Sequence, residues 1–494
     1  MQRRLNARAA ALDVLRVLIA AFDGLQPAQV SARLTPVVHQ LVVDGVAFTR
    51  HQAVFPTVTR TNAASMMTGR HPGGHGLAAN TVVVPEFPPG QVIDALEPTL
   101  ARLAAVSGGR VLLAPTLGEI LAAHGRSYAA VVGGTSGNAY VQHPRAATTG
   151  GAVVHSDFAL PALHHEAVHH RFGPWPDKRI PAIGRVQRTA DVLLHYVLPL
   201  LDPDVATVWF PEPDISQHAA GVGSSVAHDA LREADAQLGG ILALLRRRGV
   251  DPDVLMVSDH GHSTIASVVD VEAEVRRAGF PRGDQPGGVA VAPNGGAALF
   301  YVPDRNRDVV DRLATWLAQQ PWAGALVGGD GDAGALGLLP GDAAGIAGER
   351  APDIAMSLRW SPDPGANGFA GRSDATSGAP GQGTHGSGSP HELRSVLIAA
   401  GPSFRRGVAS DLPSGNIDLA PTILALLGLA TDVPFDGRVL AEAFRQGAPS
   451  GPPPRTSIEH VVERATRAGV LVQRLLLERV GATTYVSSLE ARRI

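Results

Sequence analysis

The stretch VLRVLIAAFDG at residues 14–24 decides the predicted fold. Apolar residues fill residues 14–22 except for Arg16, and the run stops at an acidic residue and a glycine, which is typical of a buried strand that ends in a turn. Two later runs have the same form, because VATVWF at 205–210 is followed by Asp214 and DVLMVS at 253–258 by Asp259. Short apolar strands of this kind predict a parallel sheet that is covered on both faces.

Helical patterns separate these strands. The longest of them, predicted over residues 227–248, carries leucine and isoleucine on one face, at 231, 238, 241, 242 and 245. Alternation of strands and helices predicts the α/β class with a doubly wound, mostly parallel sheet, in which ligands bind at the carboxyl ends of the strands. The predicted helices span residues 35–44, 61–68, 116–124, 189–201, 227–248 and 417–427, and the further strands span 128–132 and 395–400.

Changes in composition divide the chain into three parts. Residues 1–264 and 376–445 are predicted to form the α/β core. Residues 265–375 are rich in Gly, Pro and Asp with short apolar pieces, which indicates an inserted cap or subdomain. Residues 446–494 are predicted to be a Pro-rich linker followed by an amphipathic helix over 457–479.

Composition excludes several classes of protein. The 494 residues are 45% hydrophobic and 18% charged with a net charge of -3, which favours a globular protein and argues against a stable nucleic-acid partner. The absence of cysteine excludes disulfides, thiolate metal sites and a sulfatase-type modified cysteine. No apolar run reaches the ~18 residues of a membrane span. The basic, apolar start lacks a small-residue cleavage site, so a cytoplasmic location is expected, with export and homo-oligomerisation left open.

Three acidic residues follow predicted strands, namely Asp23, Asp214 and Asp259. Because parallel strands end at one edge of a sheet, we expect these carboxylates to converge and to need cations to balance their repulsion. Histidines accompany them, since His218 lies four residues after Asp214 and His260 follows Asp259.

A further histidine, His385, lies in the Gly-rich segment GQGTHGSGSPHE, where His391 is its rival. His262, two residues after His260, is expected to support the site rather than bind a metal. Together the histidines and carboxylates form a donor set that suits Zn²⁺, with Mn²⁺ or Fe as alternatives. Two such ions about 3.5–4 Å apart form a clamp for phosphoryl transfer.

The nucleophile candidates lie in VFPTVTRTNAASMMTGRHPGGHG, a loop that leads into a helix. Thr57, Thr59 and Thr61 compete for this role, and metal coordination would make any of these hydroxyls reactive. A helix start also supplies amide donors for an anion. Arg60 is a possible phosphate contact, with a surface role equally open.

The combined motifs resemble the nucleotide pyrophosphatase/phosphodiesterase (type I phosphodiesterase) family of the alkaline phosphatase superfamily. The resemblance covers about residues 12–430 and is weak in the insert. It is carried by FDG at 22–24, FPTVTRTNAASMMTGRHPGGHGLAAN at 55–80, EPDISQH at 212–218, VSDHGH at 257–262, GTHG at 383–386 and GNIDLAPTILALLGL at 415–429.

This resemblance implies a role for each site residue. It implies one metal held by Asp214, His218 and His385, and Thr59 as the nucleophile. It also implies that Asn80 donates to a phosphoryl oxygen, with Asn62 as its rival. The second metal would be held by Asp23, Asp259, His260 and the Thr59 oxygen.

The expected activity is hydrolysis of phosphodiester or pyrophosphate bonds in small-molecule or nucleotide substrates, through a phospho-threonine intermediate. Two other chemistries fit the same donor set, namely C–P cleavage of the phosphonoacetate hydrolase type and phosphomonoester hydrolysis. A non-catalytic metal-binding scaffold is the alternative of another class. A Ser/His/Asp hydrolase finds no support, because no G-x-S-x-G motif is present.

Overall fold

A nine-stranded sheet forms the centre of the protein in the computed structural model, which describes residues 15–329, 333–446, 453–467 and 469–494. Five of its eight neighbouring pairs are parallel and three are antiparallel. The strands lie in the order Val408–Ser410, Val46–Phe48, Leu397–Ala400, Asp253–Val257, Val17–Phe22, Val205–Phe210, Tyr128–Val132, Ala152–Val154 and Ala159–Leu160.

The first strand lies in the middle of this sheet. Val17–Phe22 pairs in parallel with Val205–Phe210 on one side and with Asp253–Val257 on the other. Three parallel neighbours end at one edge, so the three acidic residues that follow them are brought together. The predicted doubly wound, mostly parallel sheet is confirmed, and this register positions the site.

Side chains of the first strand alternate between two hydrophobic cores, as the twofold period of a strand requires. Val17, Ile19 and Ala21 enter one core, while the residues between them enter the other. The first core is covered by helices Thr59–Thr68, Glu97–Val106, Leu117–Ala123, Ser136–Gln142 and Leu419–Leu426. The second is covered by helices Pro36–Asp44, Ile183–Val192 and Ser225–Arg247.

Residues 265–375 contain most of a hydrophobic cluster, which Leu471 joins, packed on an antiparallel four-stranded sheet. A second small sheet joins this segment to the core, because Ser263–Val268 pairs with both Ala370–Ala375 and Gly383–Thr384. The antiparallel sheet consists of Ala290–Asn294, Ala297–Tyr301, Ile354–Leu358 and Ala323–Gly328, with helices Val271–Arg277 and Arg307–Leu317 beside it. The boundaries of the predicted insert stay a prediction.

The predicted C-terminal helix over 457–479 is wrong. This part of the chain forms an antiparallel three-stranded sheet of Arg455–Thr466, Gly469–Val480 and Thr483–Arg493. Apolar residues four apart, such as Leu471 and Leu475, fit one face of a helix and one face of a strand equally well.

Tertiary contacts decide between these two periods. Gln473, between the two leucines, is buried; its Oε1 accepts a hydrogen bond from the Leu326 amide at 2.6 Å and its Nε2 donates to the Gly337 carbonyl at 3.0 Å. The side chain of this polar residue is thereby held on the same face as its apolar neighbours, which only a strand allows. The predicted Pro-rich linker falls largely on residues 447–452, outside the described residues.

The predicted helix over 189–201 differs in its bounds. An α-helix over Ile183–Val192 leads into a π-helical turn over Leu193–Val197 and a short helix over Leu198–Leu201. None of the helices in the described residues has the length and apolar character needed to cross a membrane.

Candidate active site

The three acidic residues meet at the carboxyl edge of the central sheet. The Asp214 amide donates to the Asp23 carbonyl at 3.1 Å, and the Gly24 amide donates to Asp259 Oδ1 at 3.0 Å. Residues 258–262 form a turn between strands Asp253–Val257 and Ser263–Val268, which lets Asp259 and His260 face the same space. The predicted convergence of strand-end carboxylates is therefore observed.

In its neutral form, each of three histidines presents an unprotonated nitrogen to this space. Each places Nδ1 at hydrogen-bond distance from a backbone carbonyl, which can only accept, so Nδ1 carries the proton and Nε2 keeps its lone pair. The pairs are His218 with Gly383 at 2.9 Å, His260 with Gly261 at 3.0 Å, and His385 with Thr57 at 2.7 Å. The backbone thus prepares all three rings as metal ligands.

One donor set surrounds Asp214 Oδ1. The Nε2 atoms of His218, His262 and His385 lie 3.3, 3.2 and 3.5 Å from this oxygen. Donor atoms at 2.0–2.1 Å from a tetrahedral ion are about 3.3 Å apart, so these spacings fit a zinc-sized ion. The structure brings together Asp214, His218 and His385, which the family resemblance assigns to one metal.

The second donor set centres on His260. Its Nε2 lies 3.1 Å from Asp259 Oδ2 and 3.7 Å from Asp23 Oδ1, and the Thr59 hydroxyl lies 3.1 Å away. The other Asp23 oxygen accepts a hydrogen bond from Trp209 Nε1 at 2.9 Å, which fixes the carboxylate plane. The other three predicted donors to the second metal each have an oxygen within 3.7 Å of His260 Nε2.

Unsatisfied carboxylate oxygens show that these sets fit cations. Within the described residues, Asp23 Oδ1, Asp214 Oδ1 and Asp259 Oδ2 are buried without a hydrogen-bond partner. Burial, followed by the charges of Asp259 and Asp214, raises the pKa of Asp23 well above its usual range. Divalent ions would satisfy the free oxygens and remove this repulsion. The donors are carboxylate and imidazole only, which leaves the identity of the metal open.

Only one of the three candidate threonines faces the donors. The Thr57 hydroxyl lies 3.0 Å from Glu392 Oε2 and accepts a hydrogen bond from the Gly386 amide at 2.8 Å. Thr61 Oγ1 donates to the Leu77 carbonyl at 3.1 Å. Thr59 begins the buried helix Thr59–Thr68, where free backbone amides favour an anion.

Asn80 lies beside the start of this helix, because its Oδ1 accepts from the Arg60 amide at 3.0 Å. The bond leaves Nδ2 as the donor end of the Asn80 amide. Its rival Asn62 is fully buried and holds the loop, since its Oδ1 accepts from the Val54 amide at 2.8 Å. The Arg60 guanidinium contacts Asp94 and the Asn80 carbonyl, so its predicted phosphate contact stays a prediction.

Sequence reasoning missed one contributor to this site, Glu392, and expected another, His262, only to support it. Among described residues, the convergent donor groups include His262 but neither His391 nor the histidines at 164–170. The spacing His260-Gly261-His262 was the available signal for His262. The missed residue, Glu392, has a buried carboxylate that accepts from the Ser387 amide at 2.7 Å, which braces the loop that carries His385.

A covered α/β sheet with two acidic and imidazole donor sets at its carboxyl edge defines the class of alkaline-phosphatase-like metal sites. The family model "Type I phosphodiesterase / nucleotide pyrophosphatase" matches residues 17–368. The chain therefore belongs to the type I phosphodiesterase/nucleotide pyrophosphatase family, within the alkaline phosphatase superfamily.

Solved structures show the same fold. Murine ectonucleotide pyrophosphatase/phosphodiesterase 5 is similar with a TM-score of 0.60 and 17% identity, covering 85% of this chain and 97% of that one. An inactive threonine-to-alanine variant of the same murine protein, in complex with AMP, matches with a TM-score of 0.60 and 17% identity over 86% of this chain and 97% of that one. Comparison with curated protein sequences gives no match.

Proposed function

We propose that this protein hydrolyses phosphodiester or pyrophosphate bonds with two divalent ions, zinc by preference, and with Thr59 as the nucleophile. The observation that carries the proposal is the position of the Thr59 hydroxyl. It lies at the start of a buried helix, 3.1 Å from Nε2 of His260 in the second donor set, while the hydroxyls of Thr57 and Thr61 are directed elsewhere.

The reaction follows from the positions of these residues. When bound, the two ions would lower the pKa of the attacking hydroxyl and balance charge on the phosphoryl oxygens. Thr59 Oγ1 forms a bond to phosphorus as the leaving-group oxygen departs, and water then hydrolyses the phospho-threonine and restores the hydroxyl. The Asn80 Nδ2 group and the free amides of helix Thr59–Thr68 donate to the non-bridging oxygens.

Nucleotides are the proposed substrate class. The murine relative holds AMP, and its variant with threonine replaced by alanine is described as inactive. Both facts agree with a threonine nucleophile and a nucleoside phosphate ligand for this chain.

The substrate class is tested with the purified chain, added Zn²⁺ and two chromogenic esters. We expect faster turnover of bis-p-nitrophenyl phosphate than of p-nitrophenyl phosphate, abolished by a chelator and restored by Zn²⁺. Preference for the monoester would overturn the diester assignment. Turnover of neither ester, with phosphonoacetate and dinucleotides also inert, would favour a metal-binding scaffold.

The nucleophile is tested by Thr59→Ala, with Thr61→Ala as the matched control. Thr59→Ala should keep at least one bound zinc and lose nearly all turnover, because the reacting oxygen is gone. Thr61→Ala should retain turnover, since its hydroxyl donates to the Leu77 carbonyl. Mass spectrometry after rapid acid quench should find phosphate on the peptide with Thr59; phosphate on another residue would place the nucleophile there.

A further inference from the structure

His262 stands where it could either bind a metal ion or orient a residue that does. Its Nε2 lies 3.2 Å from Asp214 Oδ1, and it joins the donor group that includes His218 and His385. The choice matters, because four protein donors close a tetrahedral zinc site, whereas a catalytic site keeps one position open for water or substrate.

A chain of buried amide groups reaches the other nitrogen of this ring. Gln217 Nε2 donates to His262 Nδ1 at 3.2 Å and to the Gly24 carbonyl at 3.1 Å. Gln217 Oε1 accepts from Gln29 Nε2 at 3.0 Å. All three side chains are buried, so water does not compete for these bonds.

Two backbone groups fix the direction of every hydrogen bond from Gln29 through Gln217 to His262. The Gly24 carbonyl can only accept, and the Gln26 amide, which lies 3.3 Å from Gln29 Oε1, can only donate. Turning the Gln217 amide would place its oxygen against the Gly24 carbonyl. Turning the Gln29 amide would place its NH₂ group against the Gln26 N–H. Each glutamine therefore has a single satisfactory orientation.

The orientation of Gln217 determines the tautomer of His262. Because Gln217 donates to Nδ1, this nitrogen carries the lone pair, and a neutral ring carries its one proton on Nε2. His218 and His385 have the opposite tautomer, since their Nδ1 atoms face backbone carbonyls. Two of the three rings around Asp214 Oδ1 thus offer a lone pair, and the third offers an N–H.

We infer that His262 is a positioning residue, which holds its Nε2–H 3.2 Å from Asp214 Oδ1 and does not coordinate metal. The two atoms lie close together but are not aligned as a hydrogen bond, so the attraction between them is electrostatic. The inference rests on the proposed two-metal site. An N–H beside a ligating carboxylate favours one orientation of that carboxylate and leaves its lone pairs for the ion. The first metal then has three protein ligands, Asp214, His218 and His385, and keeps an open position.

X-ray absorption at the zinc edge tests this role by comparing His262→Gln with the zinc-loaded wild type. The number of imidazoles per zinc should be unchanged, because no ligand has been removed. His385→Gln is the matched control, in which the imidazole number must fall. An equal fall in His262→Gln would overturn the inference and assign His262 as a ligand.

Zinc affinity gives a second readout. Competition with a chromogenic chelator should show affinity about 10–100-fold weaker for His262→Leu, the usual effect of removing a group that supports a ligand. His262→Gln should recover part of this loss, because its amide can donate to the carboxylate. Equal losses in both variants would contradict a donor role.

A third variant keeps the inference testable if changes at His262 prevent folding. In Gln217→Glu, the carboxylate would accept a hydrogen bond from Nδ1–H, so the ring proton would lie on Nδ1 and the lone pair on Nε2, and the imidazole number per zinc should rise. An unchanged number in folded, zinc-loaded Gln217→Glu would refute control of the tautomer by this amide.

These measurements separate the inference from the proposed function, because they need no substrate. A wild type that binds zinc but hydrolyses no phosphoryl compound would overturn the function alone. Loss of an imidazole in a fully active His262→Gln would overturn the inference alone. A wild type that takes up no divalent metal would overturn both.

Discussion

Replacing Asn416 with alanine should disturb stability and metal binding together. Asn416 is fully buried, at the start of the turn that leads into helix Leu419–Leu426. Its Nδ2 donates to the Asp259 carbonyl at 2.7 Å and to Asn62 Oδ1 at 2.9 Å, and its Oδ1 is 3.0 Å from His51 Nε2. One side chain therefore connects a metal-ligand candidate to helix Thr59–Thr68.

The magnitude follows from the partners that Asn416→Ala leaves behind. Asn62 Oδ1 still accepts a hydrogen bond from the Val54 amide, so losing its bond to Asn416 costs little stability. The His51 N–H and the Asp259 carbonyl each lose a buried partner, at about 1–3 kcal/mol apiece. The free energy of unfolding should therefore fall by about 2–6 kcal/mol. Proteins of this kind typically have about 5–15 kcal/mol, so the variant stays folded if the wild type lies toward the upper end of these values.

Urea unfolding of the zinc-free protein, followed by circular dichroism, measures this change. The control is Asn367→Ala, which removes a 2.9 Å bond from an exposed asparagine to the Val222 carbonyl and should cost no more than about 1 kcal/mol. Zinc affinity of Asn416→Ala should also fall, because the backbone at Asp259 is released. Equal unfolding free energies for the two variants, or unchanged zinc affinity, would refute the reasoning.

Three further outcomes are expected. Asn80→Ala should retain zinc and lose about 10²–10³ in kcat, the scale for one oxyanion donor; loss of zinc instead would show a structural role. Burial lowers the pKa of His75 to about 3. Below about pH 6.5 the unfolded chain binds a proton at this ring and the folded protein does not, so the free energy of unfolding falls as the pH is lowered. His75→Gln should therefore reduce the loss of unfolding free energy between about pH 6.5 and 5 by about 1.5 kcal/mol in urea titrations, whereas an unchanged slope would mean that this ring is protonated in the fold. Tyr485→Phe removes a 2.8 Å bond to Asp418 and should lower the unfolding free energy by about 1–3 kcal/mol; no change would show that the C-terminal sheet is not held by this contact.

Local sequence was enough for the central strands and for the positions of the acidic residues. Strands Tyr128–Val132 and Val205–Phe210 have the predicted bounds, since short apolar runs bounded by turn residues have few alternatives inside a covered sheet. Because parallel strands end at one edge, the same pattern also predicted that Asp23, Asp214 and Asp259 would meet. The C-terminal strands were not predictable in this way, since the spacing of their leucines fits both periods.

The sequence by itself determined which residue types gather at the site, because a strand that ends in aspartate carries its carboxylate to the sheet edge wherever the rest of the chain goes. Only the tertiary structure decided what each group can do there. Thr59 is distinguished from Thr57 and Thr61 by hydrogen-bond partners that come from remote loops. The tautomers of His218 and His262 likewise depend on the Gly383 carbonyl and on a glutamine chain anchored at Gly24. A hydroxyl or an imidazole takes its chemical role from the donors and acceptors around it, and those are brought into contact only by folding.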